Sequence, residues 1–251
     1  MARALDHMVI GVADLDAAAA DYAALGVEVT ARGIHPLGTH NPQVQHADQT
    51  ILELITGGEP GGTVGHGEGY SFGAHGRDEL ARGEGLSMLV LASGDADADL
   101  ADWRAKGLPV FPRFDFERAA VRPDGSTRTV GFRLAFTRDT ASPRLGFFTC
   151  QQMFPGNFWN PAVQAHPNGA TGIASVVLVA RYPSDHHVFL QAFAGVRDVR
   201  ATSAGLVVPV APGQSIEVLS PLAFRHAFGV EVEDTLDMRD RALVIRRPGP
   251  R

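Results

Sequence analysis

Leu5-Asp6-His7-Met8-Val9-Ile10-Gly11-Val12-Ala13-Asp14-Leu15-Asp16 decides how this chain is read. Residues 5–12 are an apolar run with His7 inside it, short enough for a buried strand. Asp14-Leu15-Asp16 then opens an alanine-rich stretch that closes at Leu25-Gly26. Aspartate is a good N-cap, alanine the best helix former, and glycine suits a left-handed C-cap, so a helix is expected here. Residues 27–31 read as a second strand, 35–46 as part strand and part loop around Gly38, and 49–55 as a further apolar strand centred on Glu53. The order is β-α-β-β-β.

Residues 57–69 are more than half glycine and read as a loop. A short helix is expected at 77–82, and then the order repeats. Residues 85–92 form an apolar strand and 95–106 a helix with acidic residues at its start. Strands follow at 110–116, 129–137 and 145–152, with a turn at Asp124-Gly125. Leu25-Gly26-Val27-Glu28-Val29 and Gly107-Leu108-Pro109-Val110-Phe111 close the two helices in the same way. A third copy is traced through a strand at 171–181, a helix at 183–194, and strands at 199–202, 206–210 and 215–219, with more strand material at 229–246. The expected organisation is paired modules over 1–152 (1–56 and 85–152), a bridge at 153–169 rich in aromatics, and a third, partial module over 170–251. The third module's half-sheet must be covered, either by the pair or by a second copy in a homodimer.

The chain has 251 residues and a formal charge of −6, with 45% hydrophobic and 20% charged residues. That composition supports a packed core and excludes a disordered chain. A single cysteine, Cys150, excludes an intramolecular disulfide and Cys-rich metal clusters. In its Phe-rich strand it reads as a buried filler. The 22 Lys and Arg residues are scattered and outweighed, which argues against nucleic acid, and Arg246 to Arg251 read as a solvated basic end. No stretch approaches the roughly 18–20 apolar residues of a membrane span. Asp6 and His7 stand where a signal peptide needs an apolar run. A cytoplasmic protein with neither membrane nor nucleic-acid partners is expected. No G-x-S-x-G, phosphate loop or dinucleotide fingerprint stands in the required setting.

Tandem β-α-β-β-β units opening on residues 5–16 resemble the vicinal oxygen chelate superfamily. More narrowly, His35-Pro36-Leu37-Gly38-Thr39-His40-Asn41, Leu52-Glu53-Leu54-Ile55, Cys150-Gln151-Gln152, Asn157-Phe158-Trp159 and His166-Pro167-Asn168-Gly169-Ala170 are similar to glyoxalase-like domain proteins. The resemblance implies an α+β fold in which two modules form a glyoxalase/dioxygenase-like half-barrel sheet around one cavity. It also implies a divalent metal ion held by side chains from first and last strands. By position these are His7 and Glu53, with the second module's counterparts near Ser87 and near Cys150 or Gln151.

His7 is expected to share a strand face with Leu5, Val9 and Gly11, and Glu53 with Ile51 and Ile55. A lone His or Glu in an apolar strand is costly unless paired or ligated. The two are therefore either metal ligands, with Gln151 as a weaker third, or a hydrogen-bonded pair in a dry cavity. Thr39, His40 and Asn41 lie beside Gly38, and His40, near neutrality in pKa, is a candidate acid–base group together with Glu53. The alternative for that segment is a plain turn. Asn157, Trp159 and His166 are candidates for orienting a small-molecule substrate, the alternative being a loop packed on the sheets. His186-His187 read as surface. The expected function is a small-molecule enzyme, a metal-dependent lyase or isomerase acting on neighbouring oxygens. The other hypothesis is a protein that sequesters a small ligand.

Overall fold

In a computed structural model of the protein, residues 2–34, 40–56, 71–121, 125–232 and 238–246 are described, residues 33–34, 40, 121 and 239–246 by their backbone alone. Thr39, the glycine-rich segment and residues 247–251 lie outside them.

The first module runs β1 (Leu5–Gly11), α1 (Leu15–Ala24), β2 (Gly33–Ile34), β3 (His40–Asn41), β4 (Gln43–Gln45) and β5 (Ile51–Ile55). Helix α2 (Phe72–Leu80) follows, several residues earlier than expected, because Ser71 caps it by accepting from the Ala74 N–H. The second module is β6 (Gly85–Ala92), α3 (Ala96–Ala105), β7 (Phe114–Val121), β8 (Thr127–Thr137) and β9 (Gly146–Gln152). A constant offset carries Leu5 onto Leu86, the N-cap Asp14 onto Asp95, and Gly26 onto Gly107, both glycines at positive φ. Both capping aspartates accept two backbone N–H bonds. The expected strand at 27–31 does not form: residues 27–32 are irregular, and Thr30 instead exchanges bonds with Gln43.

These strands make one seven-stranded sheet in the order β4-β5-β1-β6-β9-β8-β7. Strands β1 and β6 pair antiparallel at its centre, and each pairs in parallel with the last strand of its own module. The sheet curls into a half-barrel. Two bulges interrupt the central pair, one at Asp6 and one at Ser87. The module offset carries one onto the other.

The bridge holds a short helix α4 (Pro155–Phe158) and a 3₁₀ turn, and then runs back over the first module. Gln164 donates to the His46 carbonyl (2.7 Å), His166 Nδ1 accepts from the Glu28 N–H (3.0 Å), and Asn168 donates to the Leu25 carbonyl (2.8 Å). Only glycine fits at position 26, where φ is +81° and a Cβ would lie 3.0 Å from that of Asn168.

The β-α-β-β-β order then occurs a third time, as β10 (Gly172–Val179), α5 (His187–Ala194), β11 (Arg200–Ala201), β12 (Gly205–Ala211) and β13 (Gln214–Leu219). Helix α6 (Pro221–Phe228) and β14 (Arg239–Arg246) complete the described chain. The second sheet has the order β11-β12-β13-β10-β14, with β14 antiparallel to β10 as β6 is to β1.

One apolar core joins the two sheets. Met8 and Ile10 of β1, Trp103 of α3, Phe189 and Phe193 of α5, and Val176 and Leu178 of β10 belong to it. The other face of the second sheet, at Val177, Val179 and Leu219, is covered by Phe224 of α6. Apolar residues on both faces of the third module's sheet are thus covered within the chain. His186, expected at the surface, is buried: its Nδ1 lies 2.7 Å from Asp139 Oδ2, tying the β8–β9 connection to the third module.

Candidate active site

The concave face of the seven-stranded sheet holds a cavity of about 50 Å³, room for a few waters or the reacting end of a small ligand. Side-chain alternation sets its lining strand by strand. Ile51 and Glu53 come from β5; Phe148, Cys150 and Gln152 from β9; Phe132 and Leu134 from β8; Phe116 and Arg118 from β7. Phe72 of α2 and Phe158 of α4 close the sides, and Gln43 and β1 complete it.

Strand β1 breaks the alternation. Adjacent residues of a regular strand face opposite ways, yet Asp6 and His7 both line the cavity. The bulge at Asp6 makes this possible, since an extra residue re-aims the side chains on one side of it. Leu5 is turned into the inter-sheet core, while Val9 stays on the cavity face. The expected grouping of Leu5 with His7 is therefore corrected, and Asp6 takes the place at the cavity.

Asp6 and Glu53 sit on either side of the His7 ring. His7 Nδ1 is 2.5 Å from Asp6 Oδ1, and His7 Nε2 is 3.8 Å from Glu53 Oε2. The other Glu53 oxygen accepts from Asn41 Nδ2 at 2.7 Å, and the edge of the ring meets Phe148 with centroids 5.4 Å apart. Burial disfavours a charged His7, but the Asp6 hydrogen bond and the Asp6 and Glu53 charges outweigh it and raise its pKa. Stability drawn from His7 is therefore fully present below its ordinary pKa of 6.5 and is lost as pH rises through the raised folded value. Denaturant unfolding across that range should show this loss in the parent and a flatter profile in His7→Gln. Identical profiles would refute the assignment. His46 and His75 act with opposite sign, because burial lowers both. Cys150 is pushed up by burial and by the Asp6 and Glu53 charges, which leaves it a neutral thiol rather than a nucleophile.

The second module does not supply matching ligands. His7 pairs with Val90 and Val9 with Met88, so the module offset carries His7 onto Met88. Glu53 lies opposite Val9, and Phe148 opposite Val90, so Glu53 corresponds to Phe148. Both counterparts are apolar. Ser87 corresponds to Asp6 instead, and its hydroxyl is spent on the Val9 carbonyl at 3.2 Å. Gln151 points to the other side of the sheet, where it accepts from the Ala96 N–H (3.1 Å) at the start of α3 and donates to the Gly94 carbonyl. Gln152 lines the cavity in its place.

Of the other expected site residues, Asn41 positions Glu53, as above. His40 is placed by its backbone in β3, paired with Ile34. Asn157 donates to the Thr129 carbonyl, and Trp159 packs edge-on against Phe158, which does line the cavity. His166 lies away from it, with its ring edge-on to His46.

The remaining donors still fit a divalent cation. One oxygen of Asp6, one ring nitrogen of His7 and the Cys150 sulfur lie within 4.8 Å of one another. The other arrangement leaves Asp6 outside the site: with Nδ1 held by Asp6, His7 presents Nε2, and an outer carboxylate of this kind orients a ligating imidazole. Two donors about 2.1 Å from one tetrahedral ion sit roughly 3.4 Å apart, near the 3.8 Å between His7 and Glu53. The anionic surroundings that favour a proton on His7 favour any cation there.

This curled pairing of β-α-β-β-β modules is the fold of the vicinal oxygen chelate superfamily. The chain belongs to the glyoxalase-like domain family, which matches residues 5–193. No curated protein matches it. Among solved structures it is similar to a hypothetical protein from Staphylococcus aureus, at 13% identity over 86% of this chain and 85% of that one, TM-score 0.64. Methylmalonyl-CoA epimerase from Mycobacterium tuberculosis is 20% identical over 59% of this chain and 87% of its own, TM-score 0.42. An epimerase variant of that name from Streptomyces coelicolor, in complex with 2-nitronate-propionyl-CoA, is 22% identical over 60% and 98%, TM-score 0.40. No described helix is long and apolar enough to cross a membrane.

Proposed function

We propose that the protein is a small-molecule enzyme, a lyase or isomerase that moves a proton on a substrate with neighbouring oxygens. The observation that carries this is the run Asp6–His7–Glu53 set among apolar walls. Glu53, with one oxygen held by Asn41, accepts the proton from a carbon beside a carbonyl. His7, whose pKa its two carboxylates raise, donates a hydrogen bond from its protonated form to the oxygen on which the electron pair settles. The proton on Glu53 then returns to that carbon or to a neighbouring atom, so no oxidant or reductant is consumed. His40, beside Asn41 in β3, is the second candidate for moving the proton. A divalent ion held by His7 and Glu53 would replace the proton on His7 Nε2 and would supply Lewis-acid polarisation of both oxygens instead.

Elemental analysis of protein purified without tag or chelator tests the metal. The expected result is about one divalent ion per chain, lost in His7→Ala/Glu53→Ala. No ion, with none taken up on titration, removes the metal. If the cavity then binds ligand without proton exchange, sequestration is the function.

A further inference from the structure

Arg118 stands on β7 two residues after Phe116, and both face the cavity. Its Nε is buried with no hydrogen-bond partner among the described residues. Gln152 Oε1, from β9, is buried without a partner on the same terms and lines the same cavity. One cationic donor and one neutral acceptor are therefore left for whatever fills the space. Buried polar atoms are almost always satisfied, by protein, water or ligand, and these two differ from the other buried atoms of their kind in facing one aromatic-walled cavity together. Arg118 asks for an anion with planar acceptor geometry, and Gln152 asks for a hydroxyl.

Charge decides between anions. The cavity's cations are His7 and Arg118, and its carboxylates are Asp6 and Glu53. That balance is close to neutral, so a bound anion adds its own charge to the cavity, one unit for a carboxylate against two for a phosphate dianion, and Arg118 is the cation positioned to meet it. The rings of Phe72, Phe116, Phe132, Phe148 and Phe158 supply apolar walls for a flat group. Burial pulls Arg118 below its ordinary pKa, and the Glu53 charge opposes that pull, which places the guanidinium within the field of the proposed base.

We propose that Arg118 and Gln152 form a carboxylate-anchoring subsite, and that the substrate is a small aryl 2-oxo acid, bound by its carboxylate at Arg118 and through its enol hydroxyl at Gln152. The proposal rests on the proton-transfer function only for where the reacting carbon lies; the anchor itself is a matter of binding.

Calorimetric titration with phenylpyruvate and with its uncharged methyl ester tests it. The parent should bind the acid at least about tenfold more tightly than the ester. Arg118→Gln should bring acid and ester to the same affinity, and Arg118→Lys should keep part of the preference. Equal binding of acid and ester by the parent, a preference that survives Arg118→Gln, or no binding of either probe at about 10 mM overturns the proposal. Circular dichroism checks that both variants are folded. Deuterium exchange at the benzylic carbon separates the two ideas. Glu53→Gln should lose exchange and keep the acid-over-ester preference. A parent that shows the preference but no exchange keeps the anchor and loses the proton-transfer function.

Discussion

Arg3→Ala lowers the free energy of unfolding by about 3–5 kcal/mol, read as a fall of roughly 10 °C in melting temperature for a chain of this size. Arg3 is 6% exposed and ties two helices, α3 and α5, to the start of the chain. Its Nε bonds Asp99 at 2.7 Å, its Nη1 donates to the Phe193 carbonyl at 2.9 Å, and its guanidinium sits over the Trp103 ring at 5.3 Å. The Phe193 carbonyl belongs to the last turn of α5, where the helix dipole favours a cation. Removing the side chain leaves Asp99, whose other oxygen already accepts from Thr149, as a buried charge without its cation. The same pair partnered to Asp102, which is 35% exposed, contributes little, because solvent screens it. A double-mutant cycle with Asp99→Ala should recover much of the loss. A fall of under about 1 kcal/mol, typical of surface pairs, would show that Arg3 is a surface residue in solution.

Glu53→Gln slows proton exchange on a substrate with neighbouring oxygens by about 10²–10⁴-fold, the usual contribution of a positioned base. The substitution keeps the size of the side chain and an oxygen for Asn41 to donate to, so stability should change little. The amide cannot accept the proton, and it withdraws one of the two charges that raise the His7 pKa. The pH at which His7 loses its proton should therefore fall in the variant, which NMR titration of the ring reads directly. Exchange at the parent rate would place the base elsewhere, with His40 the first to test.

How far the sequence led can be judged from particular residues. The first strand, its helix and their repetition were legible because caps and periodicity are local: Asp14 and Asp95 do what aspartates before alanine-rich segments do. Helix α6 carries equally local signals, for Ser220-Pro221 is an N-cap followed by proline at the first helical position, and Gly229 closes it in a left-handed cap. The position of His7 and Glu53 on one cavity was legible from their strands, whereas Asn41, expected at a substrate, bonds Glu53. The site was not legible at Asp6, because a bulge is a property of two paired strands and leaves no mark in one of them. Gln151 and Gln152 show how little separates a good placement from a bad one: a shift of one residue in a strand exchanges cavity for helix cap. Arg118 had a signal in Phe114-x-Phe116-x-Arg118, a period of two that puts the guanidinium on the aromatic face. Arg3 had none, since its partners lie some 100 and 190 residues along the chain.

Met88 and Phe148, standing where His7 and Glu53 stand in the other module, give the cavity two unlike inheritances. In a duplicated fold the two halves offer equivalent positions, and here one half sets a histidine and a carboxylate where the other sets apolar side chains. Strands β7 to β9 can then exchange one ring for another, or move the arginine, and reshape the cavity without touching Asp6, His7 or Glu53. Relatives that diverge along those three strands and agree around Asp6, His7 and Glu53 should share a chemistry and differ in diet.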